Sequence, residues 1–171
     1  MIITNVKITN FRCYYGTSSI TFNSNGKITL IYGDSGYGKS SFLQFFRWMF
    51  YSDPDFGKTD DKPLFNIAAY NECKFGECVE VSGQIDFEHL GVNYRLAKKQ
   101  EWSVSVNMAN ASIKSTSYQL YVEGEDGGYH PFSGNVANKI NTILPKGLSK
   151  YFLLDGERAR DIVLDSDEII R

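Results

Sequence analysis

Gly33-Asp34-Ser35-Gly36-Tyr37-Gly38-Lys39-Ser40 is the stretch of this sequence whose residue types and spacing are best suited to chemistry. It satisfies G-x-x-x-x-G-K-[ST], a loop pattern that cradles phosphate. Gly33, Gly36 and Gly38 can take backbone angles closed to other residues, so successive N–H groups can turn inward on an anion. Lys39 adds a mobile positive charge for the outer phosphates of a nucleotide, and the Ser40 hydroxyl can ligate Mg²⁺. Asp34, Ser35 and Tyr37 complete the loop. Ser41 continues into a helix whose N-terminal dipole favours an anion.

Two elements must position that loop. Lys27-Ile28-Thr29-Leu30-Ile31-Tyr32 is a short run with apolar and β-branched residues, and it predicts a strand leading in. Residues 41–51, SFLQFFRWMFY, contain no Gly or Pro and are mostly apolar, so they predict a buried helix leading out. Strand, glycine-rich loop and helix form the context that the motif requires.

The chain has 171 residues, 42% hydrophobic and 22% charged, which suits one domain with a real core. A formal net charge of −2 gives no electrostatic case for nucleic acid. Cys13, Cys73 and Cys78 are an odd, sparse set that fits a reducing cytoplasm better than a disulfide framework. Their spacing with His89 and His130 does not support a zinc site. The chain opens without a signal-peptide pattern. The apolar run at 42–50 is too short to span a bilayer and carries Gln44 and Arg47, so no membrane partner is expected.

In chain order, residues 2–9 predict a half-buried strand with Ile2, Thr4, Val6 and Ile8 on one face, and Ser18–Phe22 a second strand. Asn23–Gly26 is a strong turn, and Lys58–Lys62 a charged loop. From Pro63 onward the pattern is β. Val79, Val81, Ile85 and Phe87 alternate with polar residues, as do Trp102, Val104, Val106 and Met108, and Tyr118, Leu120 and Val122. Such runs joined by short turns predict antiparallel hairpins. Gly124–Gly128 is a flexible acidic tip. Val136, Ile140, Ile143 and Leu144 form one helical stripe that Pro145 ends. Lys150–Leu154 reads as a buried strand ending in Asp155-Gly156-Glu157, and residues 158–171 as helix.

Four apolar residues followed by Asp155 look like a strand that holds a metal through its terminal acid, with Glu157 polarising the attacking water. Gly156 separates the two acids, unlike the commonest form. Asp-Gly is also ordinary turn chemistry, and Glu157 also suits a solvated helix start. Lys146, Lys150, Arg158 and Arg160 read as a solvated face rather than a DNA-facing one. The aromatic residues between Phe42 and Phe50 read as core.

Asn10-Phe11-Arg12, the loop 33–40, Phe46-Arg47-Trp48, and Ile143-Leu144-Pro145 leading to Phe152-Leu153-Leu154-Asp155-Gly156-Glu157 together resemble the heads of SMC-type ATPases. The likeness is nearest to the DndD type of DNA phosphorothioation systems and to the SMC-like subunits of Lamassu anti-phage systems. It covers nearly the whole chain. It implies an α/β (α+β) P-loop NTPase fold: the N-terminal lobe of an ABC/SMC-type head with an antiparallel β subdomain, over residues 1–157. Residues 158–171 would begin a coiled-coil helix. The implied ligands are ATP and Mg²⁺. Gly33, Asp34, Ser35, Gly36, Tyr37, Gly38, Lys39, Ser40 and Ser41 would bind the nucleotide, with Arg12 near its phosphates and the Pro63-Leu64 loop helping to seat the base.

In this likeness Asp155 stands where such heads usually carry a glutamine, so Lys39, Asp155 and Glu157 are the candidate catalytic residues and Ser40 and Asp155 the candidate metal ligands. For Arg12 a strand-end ion pair is the plainer alternative. The expected partners are a C-terminal lobe with the signature motif and a true acid pair, a second head across ATP, DNA in the full complex, and other subunits of the system. This chain shows no Leu-Ser-Gly-Gly-like motif and no apolar strand ending Asp-Glu, so the expectation is half a head that hydrolyses little ATP alone. The competing reading is a self-contained small P-loop kinase or GTPase with Asp155 as its acid. Against it, the loop follows two antiparallel strands rather than repeated βαβ units.

Overall fold

The alternation of Val79, Val81, Ile85 and Phe87 produces the central strand, because every second side chain of a strand faces the same side. The computed structural model describes residues 1–22, 28–54 and 63–153. Its strands are β1 (Ile2–Thr9), β2 (Thr17–Thr21), β3 (Cys78–His89), β4 (Val92–Ser103), β5 (Ile113–Glu123) and β6 (Tyr129–Pro131). They form one six-stranded sheet in the order β2-β1-β3-β4-β5-β6. Every neighbouring pair is antiparallel. Leu90 and Gly91, with φ of 53° and 75°, make the tight turn from β3 to β4, the left-handed geometry that a two-residue hairpin needs.

Four helices complete the described residues: α1 (Lys39–Tyr51), α2 (Ile67–Glu72), α3 (Val136–Ile143) and the short α4 (Ser149–Phe152). Helix α1 lies on the apolar face of the sheet and sinks Phe42, Phe45, Phe46, Trp48, Met49 and Phe50 into the core. Phe11, at the end of β1, packs its ring edge-to-face on Phe45 at 5.5 Å and against Trp48 at 5.4 Å. The approach of α1 to β3 is close. A Cβ on Gly83 would stand 2.6 Å from Phe45 and Met49, so only glycine fits there. The stripe of Val136, Ile140, Ile143 and Leu144 becomes α3, with Asn135 capping Asn138 N through its side chain at 2.9 Å.

The structure departs from the sequence pattern in five places. The expected strand before the loop does not form. Ile28–Tyr32 are in no strand, and Ile28, Leu30 and Tyr32 are 89%, 80% and 88% exposed. Among the described residues, their apolar character has no neighbouring strand to meet. The expected strand at Lys150–Leu154 is instead helical over Ser149–Phe152, with Tyr151 and Phe152 exposed; the local i→i+4 bond from Leu153 N to Ser149 O closes that turn at 2.8 Å. In β1 a bulge between Ile3 and Asn5 shifts the register, so Val6 and Ile8 are buried while Ile2 is exposed. The alternation from Trp102 to Met108 outlasts its strand: β4 ends at Ser103, Val106 is exposed, and Met108 begins a 3₁₀ turn. Helix α2 breaks the supposed β region after Pro63. Asn66 starts it by accepting from the amides of Ala68 and Ala69, a side-chain cap that outweighs the weak propensity of six residues. The Gly124–Gly128 tip is closed by hydrogen bonds from Gly124 N to Gly128 O and from Gly128 N to Asp126 Oδ1.

Candidate functional site

The glycine-rich loop ends where α1 begins, at Lys39. Gly36 and Gly38 have φ of 88° and 90°, which a residue with a Cβ rarely adopts. Gly38 is the N-cap of α1 and supplies no side-chain cap, and the first turn of the helix has no acid. The first amides of any helix lack partners within it. Here those of Lys39, Ser40 and Ser41 stand at an exposed loop with the positive end of the dipole behind them. The Lys39 ammonium folds back over the loop and donates to the carbonyl oxygens of Gly33 at 2.6 Å and Asp34 at 2.7 Å. A cation, free amides and a helix start therefore converge on one point. That set suits the polyphosphate of a nucleotide.

A second segment braces this loop, and nothing in the motif announced it. The Tyr14 hydroxyl donates to the Gly38 carbonyl at 3.2 Å. Cys13 Sγ lies where a Gly38 side chain would begin, 2.7 Å from that Cβ position. Half-burial, and then the neighbouring Cys13, push the Tyr14 pKa up, so the donor proton is retained. Only the nearness of Tyr14 to Arg12 in sequence hinted at it.

Arg12 and Leu64, both named by the resemblance, come together. Arg12 N donates to Leu64 O at 2.8 Å, and Asn66 Nδ2 donates to Arg12 O at 2.7 Å. Arg12 takes a φ of 48°, and Phe11 pairs with Phe65 across an isolated bridge. Both Arg12 and Leu64 line one cavity. Gly33, Asp34, Ser35, Gly36, Tyr37, Lys39 and Ser40 are exposed along the loop, while Gly38 and Ser41 are half-buried. Asp155, Glu157, the turn at 23–26, the charged loop at 58–62 and the helix expected at 158–171 lie outside the described residues.

The far end of α1 is tied down. Lys98, 3% exposed, donates to Trp48 O at 2.8 Å and Ser52 Oγ at 2.6 Å. Its burial pulls the pKa down to about 8. Buried Arg47 holds Asp53 through Oδ2 at 2.8 Å and donates to Ser149 Oγ at 3.1 Å. The Tyr51 hydroxyl donates to Leu144 O at 3.0 Å. These bonds join the loop helix to the segment that leads toward Asp155.

This is a mixed α/β domain with a phosphate-suited loop beside a six-stranded antiparallel sheet. The chain belongs to the AAA-domain family, whose sequence model matches residues 5–162. That membership points to nucleotide binding of the ATPase kind. No curated protein matches the chain in sequence. Among the described residues, no helix is long and apolar enough to cross a membrane.

Proposed function

We propose that this chain is the ATP-binding N-terminal lobe of an SMC-like ATPase head of P-loop NTPase type, serving DNA modification, repair or anti-phage defence. The lobe would comprise residues 1–157, and 158–171 would start the helix of a coiled coil. The observation that carries the reading is the uncapped start of α1, where the Lys39 ammonium rests on the carbonyls of Gly33 and Asp34. On nucleotide binding Lys39 exchanges those carbonyls for phosphate oxygens, and the amides of the first turn orient the chain of phosphates. Ser40 and Asp155 would hold Mg²⁺, which supplies charge neutralisation between phosphates. Glu157 would orient the attacking water.

The exposed apolar run Ile28, Leu30, Ile31 and Tyr32 supports the half-head reading. A buried parallel strand reads as a near-continuous hydrophobic run, and among the described residues no strand covers this one. A C-terminal lobe would cover that run, and a second head would complete the site across the nucleotide. DNA and further subunits would engage the full assembly, in the cytoplasm.

Equilibrium binding of ATP to the chain and to Lys39→Ala tests the phosphate seat. Wild type binds weakly, and the variant loses affinity by about tenfold or more, roughly 1.4 kcal/mol. Equal binding by both would overturn the seat. Steady ATP turnover by the chain alone, lost in Lys39→Ala, would overturn the half-head reading. Turnover restored by adding a C-terminal lobe supports it.

A further inference from the structure

Cys73 and Cys78 stand on either side of a tight reversal between α2 and β3. Glu77 N donates to Lys74 O at 3.0 Å, and Lys74 N donates to Glu77 Oε2 at 2.8 Å. Gly76, at φ 89°, takes the left-handed corner that such a turn needs. The two flanking cysteines are thereby brought together: Cys73 Sγ lies 3.4 Å from Ala69 O and 3.9 Å from Cys78 O. Residues opposite each other across an antiparallel reversal have Cα atoms about 4.5–5.5 Å apart, inside the roughly 4.4–6.8 Å that a disulfide spans. Both are free thiols, Cys73 half-buried and Cys78 exposed. Burial first, then Glu77, Glu72 and Cys78, push the Cys73 pKa up, so Cys73 rests as a thiol and Cys78 meets an oxidant first. Glu72 and Glu77 repel an anionic oxidant, whereas hydrogen peroxide is small and neutral.

Helix α2 is tied at both ends to the segment that braces the phosphate loop. At its start Asn66 Nδ2 donates to Arg12 O at 2.7 Å, and at its end Glu72 accepts from the Tyr15 hydroxyl at 2.6 Å. Tyr14, between those two contacts, donates to Gly38 O. A helix of six residues has little stability of its own, and the Cys73 thiol donates to Ala69 O in its last turn.

We propose that Cys73 and Cys78 are a peroxide-sensing pair whose oxidation to a disulfide loosens α2 and, through it, the phosphate loop. The Cys78 sulfur attacks one peroxide oxygen, and the O–O bond breaks. Cys78 becomes a sulfenic acid, and its thiol proton leaves with the other oxygen as water. The Cys73 sulfur then attacks the Cys78 sulfur, the S–O bond breaks, and the Cys73 proton leaves with that oxygen as a second water. Two electrons pass from the sulfur pair to one peroxide. The bridged Cys73 sulfur has no proton to give Ala69 O and swings from the core toward Cys78, so the last turn of α2 slackens and carries Glu72 from Tyr15. A reducing compartment keeps such a pair as thiols until an oxidant arrives.

Peroxide treatment of the whole chain, alkylation of the remaining thiols in denaturant and peptide mapping follow the three cysteines. The alkylated cysteines fall from three to one, Cys13, and a Cys73–Cys78 cross-linked peptide appears that dithiothreitol reopens. Hydrogen exchange then compares the reduced and bridged chains. The amides of 70–73 and 36–40 exchange about threefold faster or more when bridged, the effect of one lost hydrogen bond, while those of 45–50 are unchanged. Peroxide leaves the exchange of Cys78→Ser as it was. Three surviving thiols, a bridge through Cys13, or a Cys78 sulfinic acid beside an intact Cys73 overturns the proposal. So does unaltered exchange at 36–40 in the bridged chain. The readout uses no nucleotide, so its failure is distinct from a failure of ATP to bind.

Discussion

The two ends of α1 are built in opposite ways. At the C-terminal end two of the orphan carbonyls of the helix, those of Trp48 and Phe50, are met by donors. Trp48 O accepts from Ser52 N and from the buried Lys98 ammonium, and Arg47 and Tyr51 fasten the last turn to residues 144–149. At the N-terminal end no side chain caps the amides, the preceding glycines sit at positive φ, and the apolar run before them is exposed. Rigidity at one end lets the other remain unsatisfied. A helix held by its core and its C-terminus can present bare amides to a ligand without fraying, since the packing of Phe45, Trp48 and Met49 fixes its position.

If the comparison holds, changes at the closed end move stability, and changes at the open end move nucleotide affinity. Arg47→Ala has the largest expected effect. Removing buried Arg47 takes the close partner from Asp53, which keeps Lys146 at 3.7 Å, and the donor from Ser149 Oγ, which costs about 3 kcal/mol. Urea denaturation measures it, and a shift below about 1 kcal/mol would mean that the C-terminal clamp contributes little. Gly38→Ala comes next. The left-handed backbone and the contact with Cys13 together cost about 1–3 kcal/mol, and ATP affinity falls with the loop geometry. Calorimetric titration of the folded variant would break the comparison if affinity stayed at the wild-type level.

The pH dependence follows from Lys98 and the tyrosines around it. Trp48 O and Ser52 Oγ bond the ammonium, and the Trp48 and Tyr118 rings face it at 5.0 and 5.1 Å. The folded pKa, about 8, lies below the ordinary lysine value of 10.5, so the unfolded chain binds more protons between those values. Stability therefore rises with pH across that window, by about 1 kcal/mol per unit. Tyr51 and Tyr118 run the other way. Burial pushes both up to about 12 from 10.0, so their contribution is lost as pH climbs from 10. Thermal unfolding should show a maximum near pH 10, and Lys98→Met should flatten the rising limb. A rising limb that survives in Lys98→Met would show that another group drives it.

Tyr14→Phe has the smallest expected effect. It removes one hydrogen bond to Gly38 O and costs about 0.5–1.5 kcal/mol. Its sharper signature is a faster amide exchange at residues 36–40 than in wild type, with the amides of 45–50 unchanged. Equal acceleration at both ends of α1 would erase the distinction between them.

Much of the scaffold was legible from local pattern. The period-2 runs of β3 and β5 and the stripe of α3 turn one face each inward, and a hydrophobic face states its own geometry in sequence. The loop motif was legible too, because the φ of 88° and 90° at Gly36 and Gly38 restrict residue choice directly. Helix α2 escaped because its start depends on one Asn66 side chain rather than on periodicity. The bulge in β1, which turns Ile2 out, depends on the register against β3 and is invisible in β1 alone.

What the sequence determined by itself was the phosphate-suited loop, the buried aromatic helix after it and the hairpins, since each is specified by neighbours within a few residues. Tertiary structure decided that Tyr14 and Cys13 brace Gly38, and that Arg12, Leu64, Gln100 and the two tryptophans line one cavity. It also decided that the run Ile28–Tyr32 stays outside the sheet. Those residues are far apart in the chain, or need a strand partner, and only packing brings such groups together or leaves them bare.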